Sequence, residues 1–137
     1  MIELNPIVDA AKEAAYASYS PYSHFRVGAA LLCSDGEIIT GTNVENRSYG
    51  LTNCAERTAV FSAVSKGKKD FKALALFCPD AEAPVPPCGA CRQVLSEFVS
   101  ENFPVLFAAR DGVFQEVKMK DLLPLDSLHG LKTGQGK

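Results

Sequence analysis

Apolar residues along this chain fall into blocks whose spacing changes from helical to strand-like and back. Behind Asn5-Pro6, the residues Ile7, Ala10, Ala11, Ala14 and Ala15 recur at helical intervals. That spacing predicts a helix with Asn5 as N-cap and Pro6 at its first position, ended by Ser20-Pro21. The stretch "RVGAALLCSDGEIITGTNVE", residues 26–45, reads as two strands joined at Ser34-Asp35-Gly36. Its apolar run at 27–32 suits a strand covered on both faces. Residues 53–66 predict a helix with Ala59, Val60, Ala63 and Val64 on one stripe and Gly67 at its end. A short apolar strand follows at 72–78. The segment "PDAEAPVPP" must be a loop, because its prolines cannot donate to a ladder. A helix over 88–100 carries Val94, Leu95, Phe98 and Val99. Strands at 104–109 and 113–117, divided by Asp111-Gly112, a short helix at 119–123 and a polar tail from about 124 complete the pattern. Alternating strands and helices predict an α/β layered domain spanning 1–137, with a largely buried sheet that is antiparallel at the hairpin.

Composition narrows the function more than the fold. At 137 residues, 47% apolar and 22% charged, the chain is sized for one core. A net charge of −2 offers no strongly attractive surface to a nucleic acid polymer or an anionic membrane. No apolar run approaches the roughly 18 residues of a membrane span. The N-terminus carries acids early and lacks a basic start followed by an apolar block, so it does not read as a signal peptide. The expectation is a cytoplasmic protein, in which cysteines serve as metal ligands or small hydrophobes more often than as disulfides. The odd count of five agrees.

Three of those cysteines sit at predicted helix starts: Cys54 in "NCAERTAV", Cys88 and Cys91 in "PCGACRQV". A C-x-x-C pair places two sulfurs on one turn, where they can converge on one ion, although a redox dithiol has the same spacing. The helix N-terminus stabilises thiolate, and a third cysteine in a matching position favours metal. No fourth ligand is evident, since His24 and His129 are isolated. Three protein ligands with an open position describe a catalytic zinc site, whereas a structural site takes four. Glu56, two residues after Cys54, is either an acid placed against the helix dipole or a proton carrier beside an activated water. Cys33 and Cys78 lie within apolar strands and read as packing residues.

The pattern C-x-E followed by P-C-x-x-C is a variant of the zinc deaminase signature H-x-E…P-C-x-x-C. Together with "YSPYSHFRVGAALL", "GTNVENRSYGLTNCAERTAV", "PCGACRQVLSEF" and "DLLP", it makes nearly the whole chain resemble the small, homotetrameric cytidine deaminases. The resemblance implies a three-layer α/β/α domain with a five-stranded mixed sheet. It implies one Zn²⁺ per chain held by Cys54, Cys88 and Cys91, with Glu56 moving protons during hydrolytic deamination of cytidine and 2′-deoxycytidine in pyrimidine salvage. It also assigns Asn43, Val44 and Glu45 of "NVEN" to the substrate, with Asn43 and Glu45 on the ribose hydroxyls, and Phe25 to the pyrimidine ring. Tyr49 would reach a neighbouring site at a subunit junction. Arg57 and Gln93 would support the ligands, Arg57 by hydrogen-bonding their sulfurs. Taken alone, Asn43 and Glu45 would read as solvated strand residues, Phe25 as core, Arg57 and Gln93 as exposed helical positions, and Tyr49 as a turn residue. One departure from the family pattern is that "LLPLDSLHGL" lacks the aromatic that relatives often carry after "LLP". Leu125 or Leu128 stands in its place.

Overall fold

A computed structural model describes residues 4–132. Its elements are α1 (Asn5–Ala15), β1 (Gly28–Cys33), β2 (Ile38–Thr42), α2 (Ala55–Ser65), β3 (Phe71–Phe77), α3 (Gly89–Ser96), β4 (Pro104–Ala108), β5 (Gln115–Lys118) and α4 (Met119–Leu122). Two short 3₁₀ turns, Tyr49–Leu51 and His129–Leu131, punctuate the loops. The five strands form one sheet in the order β2-β1-β3-β4-β5. Every neighbouring pair is antiparallel except β3 with β4, which run parallel with α3 in the crossover between them. The expected mixed five-stranded sheet is therefore present.

Continuous burial of β1 and β3 follows from helices on both faces. On one face, Ile7, Ala11 and Ala15 of α1 meet Ala30, Ala73, Ala75 and Leu106. On the other, Ala55, Ala59, Val60 and Ala63 of α2 and Leu95 of α3 meet Ala29, Leu31, Leu74 and Val105. Two glycines set how closely these helices approach. A Cβ on Gly28 would lie 2.2 Å from the Ala11 carbonyl oxygen of α1, and one on Gly41 would lie 2.5 Å from the Ala55 carbonyl oxygen of α2. Only a residue without a side chain admits a helix backbone at that distance.

Helix ends depart from the sequence reading. Leu4 rather than Asn5 is the N-cap of α1, and the helix stops at Ala15, short of Ser20-Pro21. Beyond it, Tyr19 N–H donates to the Asn43 carbonyl (3.1 Å) and Glu45 N–H to the Tyr19 carbonyl (2.8 Å). Pairing with the strand that leaves β2 thus replaces the last helical turn. Helix α3 ends at Ser96, not residue 100, where the Ser96 hydroxyl bonds back to the Gln93 carbonyl. Residues 124–132 run past α3, with Lys132 donating to the Val99 carbonyl at 2.9 Å. The last five tail residues lie outside the described ones.

Candidate metal centre and substrate pocket

Cys54 and Cys88 are the N-caps of α2 and α3, each in extended backbone conformation. Cys91 sits one turn into α3. The two helices start at the same end of the same sheet face, which brings cysteines from positions 54, 88 and 91 together. Their sulfur atoms all lie within 4.8 Å of one another. Cys54 Sγ and Cys88 Sγ are 3.8 Å apart. Two thiolates at zinc–sulfur distances of about 2.3 Å and a tetrahedral angle are separated by about 3.8 Å, so this pair fits a tetrahedral zinc. Cys91 is fully buried, Cys54 half-buried and Cys88 exposed. That gradient leaves an open side toward solvent.

Charge around the sulfurs is balanced by Arg57, whose Nη2 donates to Cys54 Sγ at 3.2 Å. Its Nε is buried with no hydrogen-bond partner among the described residues. Hydrogen bonds from the Cys91 thiol and from Arg57 pull the Cys54 thiol down to about 5. Cys91 moves the other way, held protonated by its bond to Cys54 and by burial. Glu56 is 5% exposed, and burial is the main cause that pushes its carboxyl up to about 7, with the Cys54 thiolate adding to the rise. A buried acid at neutral pKa beside three sulfurs is suited to moving protons. Cys33 and Cys78 remain outside the cluster, and burial pushes the Cys78 thiol up to about 12.

The strand that leaves β2 is joined to the segment before Cys54. Val44 and Asn53 exchange both backbone hydrogen bonds at 3.0 Å, which seats "NVEN" beside the cysteine loop. Asn43 is buried and committed to the scaffold: Nδ2 donates to the Phe25 carbonyl at 2.7 Å, while Oδ1 accepts from Val27 N–H at 3.0 Å and from the Ser18 hydroxyl. Glu45 Oε1 accepts from Tyr22 and Ser23 N–H (3.0 and 3.1 Å), and Oε2 from the Ser23 hydroxyl. The Ser23 bond is the largest cause holding its carboxyl below the ordinary value. The same hydroxyl accepts from Phe25 N–H at 3.0 Å. A cavity of about 310 Å³ opens here, lined by Tyr22, Ser23, Glu45, Tyr49 and Thr52. Tyr49 is 74% exposed and makes an edge contact with Tyr22, while Val44 is also exposed. A larger cavity of about 420 Å³ lies between α3 and the C-terminal segment, and no cysteine lines either cavity.

Phe25 packs with Val27 against Cys78, Ala81 and Ala109. Arg26 fixes that segment through a fork to Asp80 (2.9 and 2.8 Å), reinforced by its own N–H (2.8 Å). Those bonds hold the Asp80 carboxyl near 2. Gln93 turns its amide toward Ser96 and Asp126, at 3.2 and 3.3 Å. Its neighbour Arg92, which carried no expectation, reaches the cysteine loop instead. Ser23 and Ser18 belong to no catalytic or ligand spacing in the sequence. Only their nearness to "NVEN" in the fold marks them.

Comparison with known proteins identifies the family. The family model for the cytidine and deoxycytidylate deaminase zinc-binding region matches residues 1–107. A cytidine deaminase of Halalkalibacterium halodurans is 50% identical over 118 residues, covering 86% of this chain and 89% of that one. One of Sporosarcina psychrophila is 49% identical over 123 residues, covering 90% of each. The crystal structure of cytidine deaminase from Burkholderia pseudomallei superposes with a TM-score of 0.84 at 44% identity, over 90% of this chain and 98% of that one. The chain belongs to the zinc-binding cytidine and deoxycytidylate deaminase family, and its cofactor is zinc at the three-cysteine cluster.

Proposed function

We propose that the protein hydrolyses both cytidine and 2′-deoxycytidine to the uridine products and ammonia, in cytoplasmic pyrimidine salvage, as a homotetramer with its sites at subunit junctions. The observation that carries the reaction is the Glu56 carboxyl, buried and poised at about 7 beside three convergent sulfurs. Zinc, when bound, supplies the Lewis acidity that lets a water attack near neutral pH. Glu56 accepts a proton from that water and passes it to ring N3, then takes the second proton from the new C4 hydroxyl and delivers it to the departing amine. The water oxygen becomes bonded to C4, the bond from C4 to the exocyclic nitrogen breaks, and ammonia leaves.

Substrate recognition rests on complementary hydrogen-bonding. Asn43 spends one amide proton and its oxygen on the scaffold, which leaves one N–H to offer a ligand. Glu45 is an acceptor only. A ribose hydroxyl, which accepts and donates together, satisfies both. Phe25, packed with Val27 against Cys78, Ala81 and Ala109, would meet the pyrimidine ring, with the exposed Val44 and Tyr49 touching the rest of the nucleoside. Exposed Tyr19, Tyr22, Val44, Tyr49 and Leu51 support the tetramer, since an apolar surface around a pocket is suited to burial against further copies. No helix among the described residues is long and apolar enough to cross a membrane.

The test is ammonia release from cytidine, 2′-deoxycytidine, free cytosine and blasticidin S, with mass measured in solution. Both nucleosides should turn over, and cytosine should be poor, because the sugar-binding groups are left unpaired without a sugar. Equal efficiency on cytosine would remove Asn43 and Glu45 from the pocket. A monomeric mass at working concentration would remove the tetramer and leave the chemistry standing.

A further inference from the structure

Of the three sulfur ligands, Cys88 has the least packing to hold it. It is exposed, whereas Cys91 is fully buried and Cys54 half-buried. Its place depends on the backbone to either side, and both flanking carbonyls are held by one residue. Arg92 N–H donates to the Cys88 carbonyl at 2.9 Å, the first hydrogen bond of α3. The Arg92 side chain turns back and donates from Nε to the Pro87 carbonyl at 2.7 Å. Pro87 is fully buried, so its carbonyl has no recourse to water. A third bond, from Nη1 to the Leu122 carbonyl at 2.9 Å, fixes the guanidinium from its far side at the end of α4. The buried Met119 and Leu122 anchor α4 in the core.

We infer that Arg92 is a positioning residue for the metal ligand Cys88, tying the peptide before that cysteine to α4 so that zinc retention depends on how the C-terminal segment is seated. The inference rests on the zinc reading of the cluster. A planar guanidinium can bridge two carbonyls at a fixed angle, and the ammonium of lysine can satisfy one of them. Without the bridge the Pro87 carbonyl is a buried acceptor lacking its donor, and the peptide must rotate to find one. Cys88 Sγ moves with it. Cys54 and Cys91 are held by other contacts and stay.

The experiment compares wild type with Arg92→Ala, Arg92→Lys and Lys68→Met. Lys68 pairs with Asp35 and Glu37 beyond the opposite end of α2, so its variant is a control for lost stability remote from the metal. Zinc release to an excess of chelator and the thiolate-to-metal absorption of the cobalt(II)-substituted proteins are read alongside thermal melting. Arg92→Ala should release zinc roughly 10–100-fold faster than wild type, the usual cost of losing a group that orients a ligand. Its cobalt form should lose about a third of the charge-transfer intensity, since that intensity counts three thiolates. Arg92→Lys should fall between, and it keeps the test alive if Arg92→Ala does not fold. Lys68→Met should melt lower with release and spectrum unchanged. Arg92 variants with wild-type release and spectrum would overturn the inference and leave the zinc site intact. A wild-type protein that binds neither metal would overturn the site and the inference together.

Discussion

Glu56 carries opposed demands at one side chain. Its carboxyl is buried enough to stand at about 7, so in metal-free protein folding favours its protonated form. A raised carboxyl contributes stability that is fully present below its unfolded value of 4.5 and is lost as pH rises through 7. The loss is about 3 kcal/mol. Metal-free Glu56→Gln should therefore melt higher than wild type at pH 8, and the difference should vanish below pH 4. The same variant with zinc bound should lose roughly 10²–10⁴-fold in kcat, because an amide cannot accept the water's proton. Melting curves across pH and steady-state rates decide the matter. A wild-type kcat in the variant would make Glu56 merely a helix-start acid. Glu56 and the cysteines were legible in the sequence because their relation is local: a C-x-E at one helix start and a C-x-x-C at another. The bond of Ser23 to Glu45 and the reach of Arg92 to Leu122 were not, since these partners lie 22 and 30 positions away. Neither residue type announces such a contact.

At the scale of elements, the metal ligands are only as well placed as the helices that begin with them. Helix α2 is seated by Gly41 of β2, where an added Cβ would lie 2.5 Å from both the Ala55 carbonyl oxygen and the Ala59 nitrogen. Those are backbone atoms and cannot swing aside. Gly41→Ala should push α2 off the sheet, destabilise the fold by about 1–3 kcal/mol as overpacking does, and weaken zinc binding through Cys54. Gly36→Ala is the comparison: its added Cβ meets nothing within 4 Å, so only the backbone at φ +92 resists. It should destabilise the hairpin turn without altering zinc affinity, which chelator competition measures. Equal metal affinity in wild type and Gly41→Ala would mean that α2 tolerates displacement. The existence and order of these elements were readable because apolar spacing and turn residues act locally. The ends of α1 and α3 were not, because tertiary hydrogen bonds at Tyr19 and a serine back-bond at Ser96 compete with the last helical turns.

For the whole molecule, zinc is a bridge between two helices that begin far apart in sequence and share one sheet face. Anything that binds the native state alone stabilises it by mass action, about 4 kcal/mol when the ligand stands a thousandfold above its dissociation constant. Chelation should therefore lower the melting temperature in a manner that depends on free zinc. The size of that drop must also depend on pH, because three thiolates bind the metal and the metal-free cluster holds protons. Cys91 is kept protonated by its bond to Cys54 and by burial, so zinc displaces at least that proton across the neutral range. Cys54 lies at about 5 and is already ionised there, but below that value it too must be stripped. Apparent zinc affinity should rise with pH at least tenfold per unit between pH 6 and 8. In more acid solution, where Cys54 also takes up a proton, the dependence should steepen further. Competition between protons and metal at the sulfurs then adds to the acid lability of the zinc form, beside the Asp80 and Glu45 carboxylates that Arg26 and Ser23 hold below their ordinary values. Competition titrations with a chromophoric chelator at fixed pH values give the slope directly. A pH-independent affinity between 6 and 8 would mean that all three sulfurs are already ionised without metal, which would reverse the proton assignment at Cys91.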